Sequence, residues 1–135
     1  MKVIQAAVVL LAVMGAVLIF SHHDVFADGE KPVLENLLRS QLEGAEGTEE
    51  IISRVTLPPH STLPKHTHPG EEFAYVLEGK VTLWQDGKDE IVFKAGEVGK
   101  VPLNQVHTAI TAEEGATILV FRVHETGKPE RTLVE

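Results

Sequence analysis

The chain reads as all-β, an antiparallel sandwich or barrel. Beyond Glu50 the apolar residues fall in short runs rich in β-branched and aromatic side chains, and Gly-containing turn signals separate them. About eight such runs within roughly a hundred residues favour antiparallel pairing over a parallel α/β sheet, which would need a helix between successive strands.

The N-terminus comes first. Lys2 precedes an apolar run from Val3 to Phe20, broken only by Gln5 and Gly15, and Val25-Phe26-Ala27 offers small residues before a cleavage point. Residues 1–27 therefore read as a cleaved signal peptide, giving a mature chain from Asp28, or as a retained membrane anchor through residues 3–20. Both readings export the domain to a periplasmic or extracellular setting, and both leave His22 and His23 out of any site. Residues 28–49 form an N-terminal arm in which Leu34, Leu37, Leu38 and Leu42 fit a short helix or an edge strand.

Residues 50–135 make the barrel domain. Strands are expected at Ile51–Leu57, Glu72–Leu77, Lys80–Gln85, Glu90–Lys94, Val98–Pro102, Val106–Thr111 and Thr117–Val123. Glu78-Gly79 and Asp86-Gly87 read as hairpin turns, and Lys94-Ala95-Gly96 and Glu113-Glu114-Gly115 as further reversals.

A length of 135 residues suits one core. The net charge of -8, with no cluster of Lys and Arg, argues against a nucleic-acid partner. The absence of cysteine excludes disulfides, thiolate catalysis and Cys-based zinc sites.

The chemistry concentrates in His66, His68 and Glu72. Side chains alternate along an extended strand, so His66 and His68 share a face while Thr67 points away. Pro69 and Gly70 supply turn chemistry that brings Glu72 alongside. Two imidazoles and a carboxylate suit one divalent transition metal: Fe, Mn, Ni, Zn or Cu. Taken alone, His107 reads more readily as a surface or hydrogen-bonded residue.

These residues resemble the cupins. The first cupin motif is matched by His66, His68, Glu72 and Gly79, and the second by Gly96, Pro102 and His107, all in order and at the family's spacing. His60, Asn104 and Thr111 stand where the motifs carry Gly, Gly and Asn. Asn tolerates φ > 0, so Asn104 is a reasonable replacement. The resemblance covers roughly residues 50–125. It implies a jelly-roll β-barrel holding one metal through His66, His68, Glu72 and His107, with open coordination positions at the barrel mouth. A local trio and a distant fourth side chain converge only in a closed or nearly closed sheet.

Alternation from Glu72 places Ala74 and Val76 on the metal side and Phe73, Tyr75 and Leu77 on the other, leaving Glu71 to solvent. An apolar outer row calls for a cover, and the expected cover is a second copy in a homodimer. On the last strand, Thr117, Leu119, Phe121 and Val123 form one face, and Ile118, Val120, Arg122 and His124 the other. His124 is expected to be exposed, and His60 a bystander. Phe93 and Phe121 read as core, and Trp84 as packing on the outer layer. Arg54 reaches either the pocket or solvent, and a buried arginine would signal an anionic substrate. Gln85, Ser53, Thr56, Arg54 and Thr111 are the polar candidates for the pocket.

The leading functional reading is an exported metal-dependent enzyme acting on a small oxygenated organic molecule, by dioxygenase-type or Lewis-acid isomerase, lyase or decarboxylase chemistry. Glu72 would double as general base if it left the metal. The alternatives are a non-catalytic periplasmic protein that binds a small molecule or metal, and a barrel that the ion only stabilises.

Overall fold

The computed structural model describes residues 29–135, and all regular structure among them is β. The expected signal or anchor segment, with His22 and His23, lies outside the described residues. The strands are β1 (Val33–Gln41), β2 (Thr48–Leu57), β3 (His66–Thr67), β4 (Gly70–Gln85), β5 (Ile91–Lys94), β6 (Val98–Val101), β7 (His107–Ile110), β8 (Ala116–Glu125) and β9 (Thr132–Leu133). Every pairing between them is antiparallel. One sheet runs β1-β2-β8-β4-β6 and the other β5-β4-β7-β3-β9, with β4 common to both. This is the curled antiparallel architecture that the short strands and turn signals predict.

Strand β4 corrects one expectation. The runs Glu72–Leu77 and Lys80–Gln85 are a single 16-residue strand, and Glu78-Gly79 is a corner within it rather than a hairpin turn. The register against β8 slips between Val76 and Glu78, and Gly79 takes φ +75°. A bulge and a left-handed glycine bend a strand without ending it, so the N-terminal half pairs with β8 and the C-terminal half with β7. The same dipeptide chemistry serves a turn or a corner, and only the partners on either side distinguish them.

The arm resolves into the edge-strand alternative. β1 pairs with β2 from Val33↔Thr56 to Gln41↔Glu49, with a register slip between Asn36 and Leu38. That slip at Leu37 absorbs the odd spacing that gives Leu34, Leu37 and Leu38 a helical look.

Two residues that stand where the cupin motifs carry glycine take a left-handed backbone of the kind glycine favours: His60 and Asn104 both have φ 56°. The third, Thr111, is buried. Its Oγ1 donates to the Pro58 carbonyl at 2.5 Å and accepts from the Ser61 N–H at 3.0 Å, clamping the turn that carries His60. His60 itself is exposed beside Glu113 at 3.5 Å. The core lies between the sheets, built from Val55, Leu57, Val76, Val81, Ala116, Ile118 and Val120, with Phe93 packed against it. Phe121 instead faces outward, half-buried, opposite Phe73.

Candidate metal centre

Four side chains meet at one end of this interior. His66 opens β3, His68 follows one residue beyond it, Glu72 is the third residue of β4, and His107 opens β7 as the register partner of His66. The Asn104 N–H donates to the His68 carbonyl at 3.0 Å, tying the turn before β7 to the turn after β3. One donor atom from each histidine lies within 4.8 Å of the others. Glu72 Oε2 is 2.9 Å from His68 Nε2, and its Oε1 is 3.8 Å from His107 Nε2. Glu71 points away and pairs with Lys100 on the surface.

Backbone carbonyls decide where the imidazole protons sit. His66 Nδ1 is 2.7 Å from the Pro64 oxygen, His68 Nδ1 2.5 Å from the Glu130 oxygen, and His107 Nδ1 2.9 Å from the Gln105 oxygen. A carbonyl only accepts, so each Nδ1 carries a proton and donates, and a ring in its neutral form keeps a bare Nε2. His68 Nε2 is buried without a hydrogen-bond partner. It lies 2.9 Å from a carboxylate oxygen, and with the ring neutral two electron-pair donors face each other. A proton or a metal ion between them resolves that juxtaposition, and carbonyl-oriented histidines are how proteins fix metal-binding imidazoles. The donor set, nitrogen and oxygen without sulfur, therefore fits a divalent transition metal.

Burial pushes the His66 imidazole down to about 4, against its bond to Pro64 and with His107 and His68 adding to the depression. Burial likewise lowers His107. Burial alone would raise Glu72, but His68, His107 and Arg122 outweigh it and hold the carboxyl below its ordinary range. For the two histidines, the unfolded chain takes up protons below its ordinary value of 6.5 that the folded chain refuses. For Glu72 too, the folded form prefers the deprotonated state. All three therefore make the metal-free protein lose stability on acidification, the histidines from about pH 6.5 downward and Glu72 at lower pH. Urea midpoints of EDTA-treated protein should fall steadily between about pH 7 and pH 5, and His66→Asn should flatten that fall. A midpoint constant across the range would contradict the buried neutral site.

The four residues open onto a cavity of about 410 Å³ between the sheets, lined mainly by apolar side chains such as Val76, Leu83, Phe93 and Ile118. The polar candidates require correction. Gln85, Ser53, Thr56, Arg54 and Thr111 do not line it. Arg54 lies on the outer face, half-exposed, paired with Glu35 at 3.3 Å. The buried arginine is Arg122, 4% exposed, on the inner face of β8 as the register partner of Glu72. Its Nη2 donates to Ser53 Oγ at 2.6 Å, and its Nη1 lies 3.3 Å from Glu130 Oε2. Glu130 also accepts from Asn36 at 3.2 Å and pairs with Arg39.

His124 is a further correction. It is buried, 5% exposed, with Nε2 at 3.2 Å from Glu49 Oε1, because β2 continues opposite it in register and covers the strand end. Trp84 stays outside the cavity, with Lys65 Nζ 4.1 Å from its ring centroid. Glu130 was missed by sequence reasoning. It orients His68 through a backbone oxygen, which has no signature in residue type.

Residues 53–122 match the cupin domain family, more than half of the sequence. The chain belongs to the cupin family. No curated protein is significantly similar to it in sequence. Among solved structures, it is similar to a cupin-like protein from Thermotoga maritima, at 22% identity and TM-score 0.64, over 76% of this chain and 75% of that one. The DMSP lyase DddQ from Ruegeria pomeroyi gives 21% identity and TM-score 0.65 over 87% of this cupin and 59% of the lyase. The polyketide cyclase RemF from Streptomyces resistomycificus gives 21% and 0.50 over 69% and 82%. At such identities the likeness is one of fold.

Proposed function

We propose that this cupin is a metal-dependent enzyme acting on a small oxygenated organic molecule, with His66, His68, Glu72 and His107 as the metal ligands. The observation that carries the reading is that His66, His68, Glu72 and His107 all stand in the wall of an apolar cavity. A site built only for stability closes around its ion, whereas a reactive one keeps a face open to substrate. A bound divalent metal supplies Lewis acidity or, for a redox-active ion, electron transfer.

The chain's own residues do the rest. Backbone carbonyls of Pro64, Gln105 and Glu130 hold the imidazoles in one tautomer, and the apolar walls exclude water. Glu72 is kept ionised, the state a general base needs, although its lowered pKa limits its strength as one. The test is elemental analysis of the purified full chain, followed by oxygen-uptake and substrate-depletion assays on the metal-loaded protein. Absence of any stoichiometric transition metal after supplementation would sink the proposal. A non-catalytic binding protein is the second reading, favoured by the few polar side chains along the cavity. It predicts tight metal and ligand binding without turnover.

Two further parts of the proposal concern setting. The Val3–Phe20 run supports export, to be checked by fractionating cells that produce the full chain. The outer row Leu38, Ile52, Phe121 and Phe73, continuous across β1, β2, β8 and β4, supports a homodimer covering that face, with Tyr75 39% exposed beside it. Light scattering should give twice the chain mass, and Phe73→Glu should halve it. A monomeric wild type would reject the dimer.

A further inference from the structure

Three cationic side chains line the cavity, Lys31, Arg122 and Arg131. Among the described residues lining it, Glu72 is the lone carboxylate. This inverts the sign of a chain whose net charge is -8, so the cavity is positive within an acidic molecule. Arg122 is the innermost of the three. It sits opposite Glu72 on the neighbouring strand, about 5 Å away between Cβ atoms. A guanidinium offers five N–H donors. Here Nη2 serves Ser53 and Nη1 serves Glu130, while the buried Nε has no partner. Glu130 does not fully quench this charge, because its carboxylate is shared with Arg39 and Asn36. The Nε is itself enclosed, so what Arg122 offers the cavity it lines is the charge of a buried guanidinium, a complement for an anionic group.

We propose that the cavity binds a small organic anion, a carboxylate on an apolar body, with Arg122 as its charge partner and Lys31 and Arg131 attracting it at the mouth. The proposal rests on the metal-centre reading, since the anion would lie between Arg122 and that centre, and it names the substrate class. Apolar walls take the body of the ligand, and the charged end has one buried complement. The rival account is that Arg122 is purely structural, a strut joining β2, β8 and the segment carrying Glu130.

The test uses the full chain, metal-loaded and EDTA-treated, with hexanoate and 3-phenylpropionate each compared with its primary amide by calorimetry and ligand-observed NMR. In the loaded protein each acid should bind at least about tenfold more tightly than its amide, the difference that a charge-assisted hydrogen bond makes. Arg122→Met should remove most of that preference while retaining metal stoichiometry. Equal binding of acid and amide, failure of both acids to bind at about 10 mM, or an undiminished preference in folded Arg122→Met would overturn the proposal. Should Arg122→Met fail to fold, the wild-type comparison decides together with Arg131→Gln, an exposed change expected to weaken the acids about threefold and leave the amides unaffected. An acid affinity unchanged in Arg131→Gln would then count against it. The metal-free arm separates the two readings. An acid preference there, reduced because Glu72 is no longer neutralised, survives even if the protein proves to hold no metal, whereas its absence in both forms removes the anion site alone.

Discussion

Replacing His107 by alanine is expected to lower metal affinity more than about a hundredfold, beyond the range that altering a supporting residue produces. Several effects act in the same direction. His107 is the single member of the four contributed by a strand distant in sequence, so its loss leaves His66, His68 and Glu72 on one local loop open to the cavity. The carbonyl that fixes its tautomer, that of Gln105, belongs to the same turn and loses its purpose with it. The fold should survive, because His107 belongs to none of the core-forming residues and its neighbour Thr108 keeps β7 anchored through Oγ1 to the Leu63 carbonyl at 2.6 Å. The measurement is metal content after dialysis against a competing chelator of known strength, with the melting temperature as a check on folding. Full stoichiometry and unchanged affinity in a folded His107→Ala protein would falsify the four-residue proposal.

Alternation and spacing account for most of the fold and site that is legible in the residues alone. The alternation of β4 puts Glu72, Ala74 and Val76 inward, and the structure has them there. Alternation of β8 likewise groups Arg122 with Ile118 and Val120, yet residue type does not single out Arg122 over Arg54 as the buried cation. Parity says which residues share a face but not which face is inside, and only the register of β8 against both β2 and β4 fixes that. His124 misleads for a related reason. A strand end next to Glu125 looks solvated until the Glu49 segment of β2 is known to run alongside. The carbonyl of Glu130 on His68 lies beyond reach altogether, since it joins residues far apart in the chain through an atom every residue has. Of the substitutions within the motifs only Asn104 is legible, because Asn tolerates φ > 0; that His60 also takes a left-handed φ and that Thr111 clamps its turn emerge from the fold and not from residue type.

Gly79→Ala should be the most damaging single-methyl change in the barrel, costing more than about 4 kcal/mol and in practice preventing accumulation of folded protein. Its φ of +75° disfavours any side chain, at about 1–2 kcal/mol. The larger contribution is steric, because a Cβ there would stand 1.8 Å from the Gly115 carbonyl oxygen and 2.9 Å from its carbonyl carbon. That obstacle is backbone, which cannot rotate away. Relief would require β4 and β8 to separate where Gly79 pairs with Ala116, at the corner from which β4 enters the second sheet. Gly87 is the matched control: it has nearly the same φ, +72°, but nothing lies within 4 Å of its would-be Cβ. Gly87→Ala should therefore cost only the conformational part, about 1–2 kcal/mol, and leave a cooperative urea transition with the wild-type slope. If the two variants unfold at the same urea concentration, the crowding against Gly115 is not what makes this corner depend on glycine, and β4 bends by some other means.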